Sequence, residues 1–391
     1  MKNEENENLK QIIFIPKEIQ EDENRVSLTP LSVKKVVEKG FKVWVQEGAG
    51  KSAMIGDEQY AAAGAKIISE PVKGYQTADV VISVNPPDNL VNDLKQYEIL
   101  KKGCVWISPF TVNDNLDLIE DLKQKGISLF SLNLIPRITR AQSMDVLSSQ
   151  SNLAGYKAVI MASEYLRKIF PLMMTAAGTV NPAKVVVLGV GVAGLQAIAT
   201  AKRLGAQVEA SDIRLSTKEQ VESLGAKFIQ VQGAEDLEDE KGYAKEASKE
   251  FLAKQAAEVA KRVAKADVVI TTALVPGKKA PILVTEEMVD AMPKGSVIVD
   301  MASQMGGNCE LTLPGEIVEK YGVKIIGEKN LPSKLSVNAS QLFGENIWAF
   351  LGEITKESGI QIDKENEIVR ECLVTHQGEI VSESVKKIFL H

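Results

Sequence analysis

"VVVLGVGVAG", Val185 to Gly194, is the stretch whose reading decides the fold. It matches G-x-G-x-x-G with Gly189, Gly191 and Gly194. A lone match is weak, because glycine-rich turns are common. Its flanks supply the required context: a β-branched run before it and the helically spaced "AGLQAIATAKRLG" after it. Gly189 then allows the tight turn, Gly191 lets the backbone approach a pyrophosphate, and Gly194 lets the helix lie close to the strand. The helix N-terminus offers that pyrophosphate N–H donors and a positive dipole end. The next strand, "QVEASD", ends at Asp212, about 20 residues on, where a ribose-binding acid is expected. A carboxylate there accepts the adenosine ribose hydroxyls and repels a 2′-phosphate, which favours NAD(H) over NADP(H). Arg214, two residues further, is the one counter-signal. The competing reading, a glycine turn plus an Asp helix cap, leaves this register of strand, turn, helix, strand and acid unexplained. The expected cofactor-binding set here is Gly189, Val190, Gly191, Val192, Gly194, Asp212, Ile213 and Arg214.

Outward from this loop, short apolar runs alternate with helical patterns along the whole chain, the rhythm of βαβ units and a parallel sheet. Before it come "IIFIP", "KVWVQ", "DVVISV", "CVWISP" and "ISLFSLN". The helical stretches "PLSVKKVVEKG" and "NLDLIEDLKQKG" lie between them, each closed by a glycine. A second series runs "KVVVLG", "QVEASD", "AKFIQV", "DVVITTA", "SVIVDMA" and "VKIIGE". "SQLFGENIWAFLGEITKE" reads as an amphipathic helix returning to the first domain. The expected fold class is α/β, with two Rossmann-like domains and parallel sheets. The first domain is discontinuous, 1–147 plus 341–391, and the Rossmann NAD(H)-binding domain spans 148–340.

Composition limits the function. A chain of 391 residues suits two domains, and 45% hydrophobic with 25% charged residues is globular. A net charge of −6 gives nucleic acid no attractive field. Cys104, Cys309 and Cys372 are far apart, with neither metal-cluster spacing nor a disulfide framework, so no metal is expected. The two histidines, His376 and His391, stand near the C-terminus, which excludes a histidine-based centre in the body of the chain. "MKNEENENLKQ" is no signal or transit peptide, and the longest apolar run, Val185 to Ala201, is strand, turn and helix rather than a membrane span.

"RITRAQSMDVLSSQSNLAG", Arg137 to Gly155, crowds two arginines, an aspartate, two glutamines, an asparagine and five serines between a strand and a helix. Such a loop can simply be solvated, and Ser148 or Ser149, with Asp145 nearby, reads as a helix cap. Together with "MMTAAGTV", "VLGVGVAGLQAIATAKRLGAQVEASDIR", "TKEQVESLGAKF" and "GYAKE", it closely resembles the NAD(H)-binding component of proton-translocating nicotinamide nucleotide transhydrogenase. The resemblance runs from "IPKEIQEDENRVSLTP" to "CLVTHQGEIV". It implies direct hydride transfer from NADH to NADP+ held on a separate NADP(H)-binding component, driven by proton movement in a transmembrane component. It also implies a homodimer that is active only with its partners. The component would lie peripheral to the inner or cytoplasmic membrane, on its cytoplasmic or matrix-equivalent face.

By the same resemblance, Arg137, Gln142, Asp145 and Ser148 orient the nicotinamide and its ribose, while Ile138, Thr139, Arg140, Ser143 and Met144 complete that contact. Gln255 and Leu274 match further nucleotide contacts, although Leu274 reads equally as core. The acidic segment "QGAEDLEDEKGYAKEASKEF" resembles a loop that closes on the nucleotide through Gly242 and Tyr243.

Alanine dehydrogenase shares the fold and is the rival. It resembles this chain at "NRVSLTP", where Arg25 would hold a substrate carboxylate. Where it keeps a lysine, a histidine and an aspartate, this chain has Ser83, Ser108 and Gln304. That leaves imine chemistry without its acid and base. Hydride exchange between two nucleotides has no proton to manage and needs only positioning. A non-catalytic NAD(H)-binding module is the third alternative.

Overall fold

The computed structural model describes residues 11–230, 248–275, 278–356 and 359–389. The chain divides into two compact units, Met1–Gln150 with Ser333–His391, and Ser151–Pro332. The divisions fall within helix Val146–Tyr165 and within the short turn Pro332–Leu335. The sequence reading sets them at 147/148 and 340/341.

The second unit is built on a seven-stranded sheet. Its order is Lys227–Phe228, Gln207–Ser211, Lys184–Leu188, Val268–Thr271, Val297–Asp300, Val323–Ile326 and Ile317–Lys320. All pairings are parallel except the last, an antiparallel edge. The strands read as continuous apolar runs because both faces are covered. Val185, Val187, Val268 and Ile270 enter the core on one face, and Val186, Leu188, Val269 and Ile298 the core on the other. Strand order reverses between Lys184–Leu188 and Val268–Thr271, and at such a switch point the carboxyl ends of the strands leave a crevice.

The first unit repeats the plan. Its parallel strands run Lys66–Ile68, Lys42–Gln46, Ile12–Ile15, Val80–Ile82, Val105–Ser108 and Ser128–Ser131. Leu373–His376 and Glu379–Ile380 extend the sheet antiparallel at its far edge. The antiparallel edges and the short strand Lys66–Ile68 were not foreseen, because two to four residues carry too little periodicity to register. Helices Pro30–Glu38 and Leu116–Gln124 lie where expected, and Gly40 and Gly126 follow them at φ +105° and +70°, the left-handed turn that ends a helix. No helix among the described residues is long and apolar enough to cross a membrane.

At the carboxyl end of Ile12–Ile15, Glu18 accepts from Val84 N at 2.6 Å and from Asn85 Nδ2 at 2.9 Å. Burial pushes its pKa from 4.5 up to about 7, with the charge of Glu23 adding to the rise and those two hydrogen bonds and Arg25 opposing it. Between these two values the folded chain holds a proton that the unfolded chain has released, so stability falls as pH rises through the window. The thermal midpoint of the protein is therefore expected to drop between about pH 5 and pH 7, and Glu18→Gln should flatten that drop. An identical slope in the variant would remove Glu18 as the cause.

Candidate functional site

The glycine loop turns from strand Lys184–Leu188 into helix Val192–Arg203, and its three glycines serve three different needs. Gly189 stands at φ +97°, and a Cβ there would meet Thr272 Oγ1 at 2.6 Å. A Cβ on Gly194 would lie 2.0 Å from the carbonyl oxygen of Gly189, so only glycine lets the helix approach the strand this closely. A Cβ on Gly191 would meet nothing within 4 Å. The space beside that backbone is open, as a pyrophosphate approaching the helix N-terminus requires.

Asp212 follows strand Gln207–Ser211 and reaches back to this loop. Its Oδ2 accepts from Val190 N at 2.7 Å, while Arg214 makes two side-chain hydrogen bonds to the carboxylate, both of 2.9 Å, and a third through its own N–H. Burial works against the charge of Asp212, but the guanidinium and the two backbone N–H groups outweigh it and hold the carboxyl below its usual range. Arg214 is thus committed to the acid. Gln255 donates to Ser211 Oγ at 3.2 Å and to Asp212 O at 3.1 Å. Beside Asp212 lies a small hollow lined by Ile213, Leu215, Phe228, Ile229 and Phe251. An acid next to an apolar slot suits a ribose next to a purine. Val190 is buried, whereas Val192 and Leu274 are exposed at 40% and 54%. Leu274 is therefore a surface residue of its unit rather than core. Gly242 and Tyr243 lie outside the described residues.

In the first unit the polar stretch runs through the turns Leu132–Leu134 and Thr139–Met144 into helix Val146–Tyr165. Asp145 caps that helix, its Oδ1 accepting from Ser148 N at 2.9 Å and its Oδ2 from Ser148 Oγ at 2.6 Å. The cap is Asp145 itself, with Ser148 at the third helical position. Ile138 packs against the core, and Ala141 and Met144 lie within it, which anchors the turn. Between these anchors Arg137, Thr139, Gln142 and Ser143 are exposed, and the amide of Gln142 makes no hydrogen bond among the described residues. Arg140 is tied to Glu353 at 3.1 Å and to Asn366 at 3.3 Å.

Arg25 forms a two-point ion pair with Glu23, at 2.7 and 2.6 Å, and donates to Gln150 at 3.1 Å. Ser83 and Ser108 are buried, Ser83 donating to Asn85 O and Ser108 accepting from Trp106 Nε1 at 3.2 Å. Gln304 is exposed. Sequence reasoning missed Asn346, whose side chain donates to Ser143 O at 2.8 Å and accepts from Ser149 Oγ at 2.7 Å, bracing the polar turn. The available signal was an amide in the buried stripe Phe343, Ile347, Phe350 of an apolar helix.

Comparison with known proteins agrees with this geometry. A family model described as "Alanine dehydrogenase/PNT, N-terminal domain" matches residues 14–154, and its C-terminal counterpart matches 158–383. The chain belongs to the alanine dehydrogenase/PNT family. Within that family, it is 50% identical over 373 residues to an NAD(P) transhydrogenase subunit alpha chain of Rhodospirillum rubrum, covering 94% of this chain and 97% of that one. The crystal structure of transhydrogenase from Sinorhizobium meliloti superposes with a TM-score of 0.86 at 44% identity, over 95% of this chain and all of the other. An L-alanine dehydrogenase structure superposes at 0.77 with 26% identity, over 97% and 99% of the two chains. Kinship is thus stronger on the transhydrogenase side of the family.

The two inner glycines separate stability from binding. Gly194→Ala forces its Cβ onto a backbone carbonyl and should cost about 1–3 kcal/mol of unfolding free energy, read by denaturant titration. Gly191→Ala should leave the unfolding midpoint almost unchanged and weaken NADH binding. Wild-type affinity in Gly191→Ala would show that no phosphate approaches that backbone.

Proposed function

We propose that this chain is the NAD(H)-binding component of a proton-translocating transhydrogenase. It takes NADH at the glycine loop and gives the hydride to NADP+ on a partner component, with proton movement left to a membrane component. The reading rests above all on the chemistry of the three positions where an amino-acid dehydrogenase keeps its proton-handling groups. Ser83 and Ser108 are buried hydroxyls spent on internal hydrogen bonds, and Gln304 has no titratable proton. A complete nucleotide loop without an acid or base suits a transfer in which only a hydride moves.

When bound, NADH supplies that hydride. The chain's own residues do the positioning: Asp212 accepts from the adenosine ribose, and the Gly191 backbone and helix N-terminus meet the pyrophosphate. Arg137 and the unengaged amide of Gln142 hold the ribose and carboxamide of the nicotinamide, so that one ring face is offered. Asp145 and Ser148, locked to each other, keep that loop in one conformation. The hairpin Met173–Thr175 with Gly178–Val180 is exposed along its length, Met174 at 76%, and we assign it to contact with a second copy in a homodimer.

The decisive experiment mixes this protein with the NADP(H)-binding component and follows reduction of an NAD analogue by NADPH. Turnover is expected there, and none is expected with NADH, pyruvate and ammonia alone. Nucleotide binding on both components without exchange would sink the reading. Gln142→Asn should slow exchange by roughly a hundredfold while NADH affinity holds, since a misplacement of about 1 Å is enough for such a loss. Asp212→Ala should instead weaken NADH binding, and undiminished affinity would refute the ribose contact.

A further inference from the structure

The Gly189–Val190 peptide is gripped at both ends. Its N–H donates to Asp212 Oδ2 at 2.7 Å, and its carbonyl oxygen accepts from Thr272 Oγ1 at 2.9 Å. That same oxygen is the atom against which Gly194 packs. Thr272 is in turn held from behind. Its own N–H donates to Leu188 O at 2.8 Å. The neighbouring Ala273 is clasped by one buried side chain, Asn308, whose Oδ1 accepts from Ala273 N at 3.0 Å and whose Nδ2 donates to Ala273 O at 2.9 Å. The second proton of that amide goes to Pro281 O at 2.7 Å. The backbone N–H groups of Asn308 and Cys309 end on Asp300 Oδ2 at 2.8 and 3.0 Å, and Thr312 Oγ1 reaches the same oxygen at 2.7 Å. Asp300 is fully buried, and Thr271 Oγ1 and Ala302 N occupy its other oxygen.

We propose that Thr272 is a positioning residue for the dinucleotide, with Asn308 as its latch and Asp300 as the buried anchor. Pinned by Thr272 and Asp212, the first peptide of the glycine loop cannot rotate. The open Gly191 backbone that follows it is thereby aimed at the pyrophosphate before any nucleotide arrives. Preorganisation of this kind acts on affinity, because a loop already ordered loses little freedom on binding. The inference rests on the reading that NADH binds at the glycine loop.

The test uses the whole chain and NADH fluorescence. Thr272→Val keeps the shape and removes the donor, leaving the Gly189 carbonyl unpaired, and should raise the NADH Kd about tenfold. Thr272→Ser restores the hydroxyl and should return the Kd to within about twofold of wild type, a recovery that general packing damage would not show. Asn308→Asp turns the latch amide into a carboxylate facing the carbonyls of Ala273 and Pro281. Its NADH affinity should improve as pH falls from about 8 to about 6, as the carboxyl regains a donor proton, while the wild type stays flat across that range. Wild-type affinity in Thr272→Val, or no recovery in Thr272→Ser, overturns the inference and leaves the nucleotide reading standing. If the valine variant does not fold, a flat pH profile in Asn308→Asp overturns it instead. Failure of the wild type to bind NADH overturns both.

Discussion

The second unit is organised around the place where the carbonyl oxygen of Gly189 lies 2.0 Å from where a side chain on Gly194 would begin. Backbone rests on backbone there, so the start of helix Val192–Arg203 is set by the main chain and not by side-chain packing. A second contact of the same kind fixes the helix from another direction, since a Cβ on Gly155 would lie 2.1 Å from Ala193 O. Contacts between main-chain atoms are stiff, and packed interiors do not yield by fractions of an ångström without cost. The positive end of that helix is therefore held in one place, as recognition of a diffuse phosphate charge demands.

Polar groups around this contact are buried, and each is compensated. Asp212 would be costly below the surface without Arg214, and the pair is costly unless its remaining hydrogen-bonding capacity is filled. Val190 N and the N–H of Arg214 fill it. Asp300 takes the other route, with five donors around one carboxyl. Both acids tie loops at the carboxyl end of the same parallel sheet, where separate βα loops would otherwise move independently. In the first unit Asn346 does the same for the Ser143–Ser149 segment with an uncharged amide.

Reading the sequence succeeded where the signal is local. The strand before Gly189, the helix after it and the acid at Asp212 are all set by spacing within about 30 residues, the length of one βαβ unit. Residues that sit on exposed turns, such as Gln142, were found through resemblance to a family, because nothing in a single loop residue tells a solvated amide from a binding one. Thr272 and Asn308 escaped altogether. One ends a strand and the other sits in a glycine-rich turn, and each looks locally like an ordinary turn residue.

By itself the sequence determined the α/β class, the doubly wound strands and the chemistry of the nucleotide loop, since these follow from periodicity and from glycines at fixed offsets. Tertiary structure alone decided which residues hold that loop still. Thr272 reaches Gly189 across 83 positions and Asn346 reaches Ser143 across 203, while Asn308 clasps Ala273 across 35. Short-range patterns encode which face of an element is apolar. They carry no information about which distant hydroxyl or amide the folded chain will bring to a given carbonyl, because that is set by strand order and loop path.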